Sequence, residues 1–128
     1  MRLLVTFRTT SVRGRELAGW AEDGFAAAGW TVSRVDLDAV AGRSALAAQF
    51  TGLDLVAFAT DRVVFADGGG PDLRRVARWA EAAAVPVIAL AEQVEISTRE
   101  LRTLGVETAY QIDSAAAVGR VVANWTPR

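Results

Sequence analysis

Two stretches of this chain gather the side chains that could do chemistry. The first, "RTTSVRG", places hydroxyls at Thr9, Thr10 and Ser11, a cation at Arg13, and Gly14 where a helical pattern begins. Hydroxyls and free amides at a helix N-terminus favour an anion, because the helix dipole and the unpaired N–H groups both point at it. The same residue types also serve as plain helix caps. The second stretch, "TDRVVFADGGGP", carries Thr60, Asp61, Asp67 and the glycines Gly68, Gly69 and Gly70. It offers carboxylates for a magnesium ion with phosphate oxygens. It lacks the G-K-[ST] ending of a phosphate-binding P-loop, and a flexible connector explains the glycines as well.

What is missing narrows the chemistry further. The sequence has no Cys and no His, and all of its basic residues are Arg. Thiolate nucleophiles, imidazole bases, sulfur- or imidazole-bound metals and Schiff-base lysines are therefore excluded. Catalysis would have to use carboxylates, hydroxyls, Arg and backbone amides. No metal and no catalytic residue is assigned. With 14 basic and 15 acidic residues, the formal charge of −1 indicates neither a nucleic-acid surface nor a polybasic membrane patch. The opening "MRLLVTFRTT" is too short in its apolar part for a secretion signal and reads as a strand, so a cytoplasmic protein is expected.

The elements that must position these loops alternate along the chain. Leu3, Leu4, Val5 and Phe7 form an apolar run suited to a strand covered on both faces. From Gly14 the period becomes helical, with Leu17, Trp20, Ala21, Phe25 and Ala28 on one face. "WTVSRVDL" is a second strand, followed by a short helix containing Leu46 and Phe50; "LDLVAFA" is a third strand. Pro71 opens a helix with Leu73, Val76, Ala77 and Ala80 as its buried stripe. "VPVIALA" is a fourth strand, Ser97 and Glu100 form a capping box, "VETAYQI" is a fifth strand, and Asp113 or Ser114 caps a last helix. Such alternation predicts one α/β domain over residues 1–128. Its expected architecture is a three-layer, doubly wound, five-stranded parallel sheet of flavodoxin-like order 2-1-3-4-5. Ligands of this architecture sit beyond the carboxyl ends of the strands, which is where both loops fall.

"TTS" resembles the phosphate loop of flavodoxins. A flavin would also need aromatic faces from the later loops, and Phe65 is the one aromatic there, so no cofactor is expected. Arg74, Arg75 and Arg78 form a basic patch, with Trp79 between the charged side and the apolar stripe of the same helix. A solvated helix face accounts for the arginines as well as substrate binding does, and an exposed Trp79 beside them could anchor a partner.

The second half of the chain resembles the two-domain bacterial glycerate kinases. "GLDLVAFA" stands where that family has a strand leading into its signature segment, and "VARWAEAAAVPVIALAEQVEIS" and "STRELRTLGVETAYQI" continue the likeness. "SVRG" and "FAAAGWTVSRVDL" resemble the family's first turn and the following helix and strand. Laid on the signature, Thr60, Val64, Ala66, Asp67 and Pro71 replace its polar residues, and Gly70 alone survives. Arg13 replaces a lysine.

The resemblance implies a glycerate-kinase-like domain without the inserted second domain, which has lost catalysis and acts by binding. The expected target is a protein partner, a second copy of the chain, or a small anionic ligand, not nucleic acid or membrane. Two alternatives remain at this point: a minimal or split glycerate kinase using Mg-ATP, and a flavin-binding flavodoxin-like protein. The candidate ligand site is Thr9, Thr10, Ser11, Arg13, Gly14, Thr60, Asp61, Gly68, Gly69 and Gly70. The candidate partner surface is Arg74, Arg75, Arg78 and Trp79.

Overall fold

A computed structural model describes residues 1–39, 48–65 and 69–127. Five parallel strands form one sheet: β1 (Arg2–Phe7), β2 (Thr31–Asp36), β3 (Leu55–Val64), β4 (Val87–Glu95) and β5 (Thr108–Gln111). Their spatial order is β2-β1-β3-β4-β5, the order expected from the sequence. Among the described residues four α-helices connect or follow them: α1 (Val12–Ala27), α2 (Pro71–Ala82), α3 (Thr98–Thr103) and α4 (Ala115–Trp125). A 3-10 turn, Ala48–Phe50, holds Phe50; Leu46, expected in the same helix, lies outside the described residues.

The sheet is covered on both faces, which is why its central strands are written as unbroken apolar runs. Along β1, Leu3, Val5 and Phe7 join the core shared with α1 and α4, including Leu17, Phe25, Val118 and Val121. Leu4 enters the opposite core with Phe50, Phe58, Leu73, Val76 and Leu101. Among the described residues Thr6 is the buried polar side chain, and its hydroxyl donates to the Ala57 carbonyl at 3.1 Å. The helix starts follow the caps in the sequence. Ser97 Oγ accepts from the Glu100 amide, and Ser114 Oγ accepts from the Ala117 amide.

Two strands run further than expected. The sequence pattern ends β3 at Ala59 and β4 at Ala91, because polar residues follow. Instead the pairing continues through Thr60↔Ala91, Arg62↔Gln93, Val63↔Val94 and Val64↔Glu95. On one side β1 pairs with β3 only as far as Phe58, and on the other β5 pairs with β4 only as far as Ala91. Beyond those points β3 and β4 project from the carboxyl edge as a two-stranded ribbon. Val63 and Val64 stay buried while Asp61, Arg62, Glu92 and Gln93 are exposed, so the polar residues mark an open ribbon and not a loop.

Candidate functional site

The centre of the carboxyl edge is the gap between β1 and β3, where the chain winds away in opposite directions. The loop leaving β1 crosses it and enters α1. Ser11 caps that helix: its Oγ accepts from the Gly14 amide at 3.0 Å, and its carbonyl accepts from Arg15. Gly14 lets the first turn lie on β3. A Cβ there would stand 2.6 Å from Ser11 Oγ and 2.9 Å from the Ala59 carbonyl oxygen. Both distances are below ordinary van der Waals contact, so the glycine is required by packing.

The rest of the loop is already engaged by carboxylates from the end of β2. The Thr9 amide donates to Asp36 Oδ1 at 3.1 Å, and the Thr9 hydroxyl donates to Asp36 Oδ2. The Thr10 amide and hydroxyl both donate to Asp38 Oδ2, at 3.1 and 3.0 Å. Arg8 Nη1 donates to Asp38 Oδ1 at 2.5 Å. The other side of the Arg8 guanidinium reaches Asp72 in the first turn of α2, Nε to Oδ2 at 2.5 Å and Nη2 to Oδ1 at 2.8 Å. This fork-on-fork geometry is the strongest that an arginine makes with a carboxylate. One side chain thus ties together the ends of β1 and β2 and the start of α2. The pair with Asp72, then that with Asp38, raises the Arg8 pKa further above its ordinary range. The Thr10 amide, followed by Arg8, holds the Asp38 carboxyl below the usual carboxylate range.

Chemically the loop is an anion cradle whose anion is the protein's own. Asp38 takes three donors, Thr10 N, Thr10 Oγ1 and Arg8 Nη1. The amides of Val12 and Arg13, in the first turn of α1, have no protein acceptor among the described residues. Sequence reasoning found the hydroxyls but missed Arg8, Asp36, Asp38 and Asp72. The signal was present in "VDLD", which ends the strand adjoining β1 and so delivers its carboxylates beside the loop.

The remaining candidates divide. Arg13 is held by carboxylates, its Nε on Glu92 Oε2 at 2.6 Å and its Nη1 on Glu16, so it straps α1 to the ribbon. Thr60 and Asp61 lie within β3 and not in a loop. Gly69 and Gly70 precede α2 with φ of 81° and 93°, and Gly70 is its N-cap with ψ of 153°, a conformation open to glycine alone. Gly68 and Asp67 lie outside the described residues. Among the described residues no three acidic side chains converge to hold a metal. Phe65, at 65% exposure, and Val12, at 70%, present apolar surface at this edge. Trp79 is half-buried against Phe50, with ring centroids 6.0 Å apart, and packs on the core. Arg74, Arg75 and Arg78 line a cleft on the outer side of α2. Among the described residues no helix is long and apolar enough to cross a membrane.

No family model matches the chain, and no curated protein matches it. Solved structures do. A flavodoxin from the domain Archaea superposes with a TM-score of 0.63 at 11% identity, covering 98% of this chain and 96% of that one. The diflavin flavoprotein A3 from Nostoc sp. gives 0.62 at 13% identity, covering 98% and 89%. The NAD(P)H:quinone oxidoreductase from Methanothermobacter marburgensis gives 0.53 at 11%, covering 98% and 95%. These likenesses establish a flavodoxin-like fold. They overturn the glycerate kinase relationship, and with it the reading of a binding domain derived from such a kinase. The structure supplies the physical reason. Thr60–Val64, matched above to the start of the kinase signature, is paired strand. The apolar text of β4 and β5 is what any parallel strand buried on both faces would carry.

Proposed function

We propose that this chain binds flavin mononucleotide in the manner of a flavodoxin-like protein, its phosphate held by the loop between β1 and α1. The sequence ranked this reading last for want of aromatic residues. The observation that carries it is the Asp38 carboxylate seated on Thr10 N, Thr10 Oγ1 and Arg8 Nη1. Those donors hold one oxyanion already, and a phosphate group would take the same donors once Asp38 turns away. Asp38 lies on the surface, in the turn after β2, where such a movement disturbs no core contact. Val12 and Arg13 would add their amides at the positive end of α1. Phe65 offers an exposed aromatic face for the ring. The similar structures are flavodoxins and flavoproteins by name, which supports the same ligand class.

Bound flavin would supply reversible electron transfer. The chain's own part is to bind and orient. Arg8 stays fixed by Asp72 while its other edge changes partner from carboxylate to phosphate. Gly14 and Ser11 keep the first turn of α1 against β3, so the donors are in place beforehand.

Titration of the purified protein with flavin mononucleotide and with riboflavin, followed by flavin fluorescence, tests this. The phosphorylated flavin is expected to bind at least about tenfold more tightly, a difference of about 1.4 kcal/mol. Asp38→Asn removes the competing charge and is expected to strengthen binding of the phosphorylated flavin several-fold while leaving riboflavin unchanged. Equal binding of the two flavins, or none, overturns the proposal. An unchanged affinity in Asp38→Asn overturns the assigned phosphate position.

A further inference from the structure

The outer side of α2 carries a basic stripe beside an open cleft. Pro71, Arg74, Arg75 and Arg78 occupy positions i, i+3, i+4 and i+7, so they share one stripe of the helix. With Leu104 at the end of α3 they line an open cleft of about 380 Å³. Leu104 reaches the start of α2, since a Cβ on Gly69 would lie 3.6 Å from its Cδ1. All three arginines are exposed, and among the described residues none has an ion-pair partner.

Among the described residues the nearby acids do not neutralise them. Asp72, in the same first turn, is turned to the sheet's carboxyl edge and taken bidentate by Arg8. Glu81, a turn beyond Arg78, lies toward Gly105 and makes no ion pair with it. Like charges at i,i+4 and i,i+3 repel, so the stripe is electrostatically unsatisfied as it stands. It is unsatisfied in a chain whose formal charge is −1.

We infer that this cleft binds a small anion of linked phosphate groups. Guanidinium forks match phosphate oxygens in pairs, and three of them along ~6 Å of helix suit a di- or triphosphate and not a single phosphate. The volume falls in the range of small-ligand pockets, about 300–1,000 Å³. An acidic protein would instead need about 800 Å² of its own surface covered. Pro71 and Leu104 give the cleft apolar walls that an organic substituent could touch. The site stands apart from the β1–α1 loop and does not depend on the flavin reading.

Calorimetric titration with inorganic tripolyphosphate, ADP and a poly-glutamate peptide tests the inference. Tripolyphosphate and ADP are expected to bind, more weakly as salt rises. Tighter binding of ADP identifies an organic diphosphate in contact with Pro71 and Leu104; equal binding identifies the phosphate chain alone as the ligand. The double variant Arg75→Gln/Arg78→Gln is expected to lose at least about tenfold in affinity, while Arg120→Gln on α4, across the sheet, changes nothing. Circular dichroism checks that each variant is folded; because the altered side chains are exposed, the singles Arg75→Gln and Arg78→Gln serve if the double is not. Unchanged tripolyphosphate binding in the arginine variants overturns the proposal, as does poly-glutamate binding more tightly than tripolyphosphate.

Discussion

Asp38 is the residue on which the site turns, and its ionisation can be followed through stability. Its pKa is lowered on folding by the Thr10 amide first and by Arg8 second. A carboxyl whose folded value is depressed stabilises the protein above its unfolded value, about 4, and loses that contribution as pH falls through the folded value. Asp38→Asn is therefore expected to be less stable than the parent at neutral pH and to match it at the acid end. Urea denaturation from neutral pH downward would show the two curves converging. Parallel curves would mean that the carboxylate gains nothing from Thr10 and Arg8. None of this was legible in the local sequence. The hydroxyl loop announced itself by type and by its place before a helix, whereas its partners lie 27, 28 and 64 residues away, at the ends of other elements. Fixed spacing marks chemistry within one element and is silent about carboxylates that topology delivers.

Between elements, α1 lies close against β3 at Gly14. The helix can lie there because Gly14 has no side chain to meet Ser11 and the Ala59 carbonyl. Gly14→Ala is expected to cost ~1–3 kcal/mol, the usual penalty for forcing extra volume into a packed site. It should also loosen the cradle, since the amides of Val12 and Arg13 would move with the helix. The denaturant midpoint and flavin affinity of that variant check both effects; an unaltered midpoint would show that the contact yields freely. Element identity was largely readable from periodicity and caps, as with Ser97 before α3 and the apolar run of β1. Element ends were not. Polar text after Ala59 and Ala91 looks like a loop because a strand with a neighbour on one side only need not be apolar.

For the molecule as a whole, the strand order followed from counting alternating units, and burial on two faces followed from adjacent apolar residues in β1. Leu3 and Leu4 test that double covering directly. They are neighbours in sequence, both fully buried, and belong to opposite cores. Leu3→Ala and Leu4→Ala are each expected to destabilise by ~2–5 kcal/mol. That is a large share of the ~5–15 kcal/mol typical of a whole domain. Chemical denaturation would reveal a one-sided sheet if either change cost almost nothing.

The ribbon that β3 and β4 extend past the sheet leaves backbone donors and acceptors without strand neighbours. Such a border invites another chain to add a strand and so to aggregate. The side chains along it oppose that. Asp61, Arg62, Glu92 and Glu95 line the projecting segments with charge, and the Gln111 side-chain oxygen accepts from the Val94 amide at 3.2 Å where β5 has ended. The residues that obscured these strands in the sequence are thus the ones that protect the folded chain from self-templating.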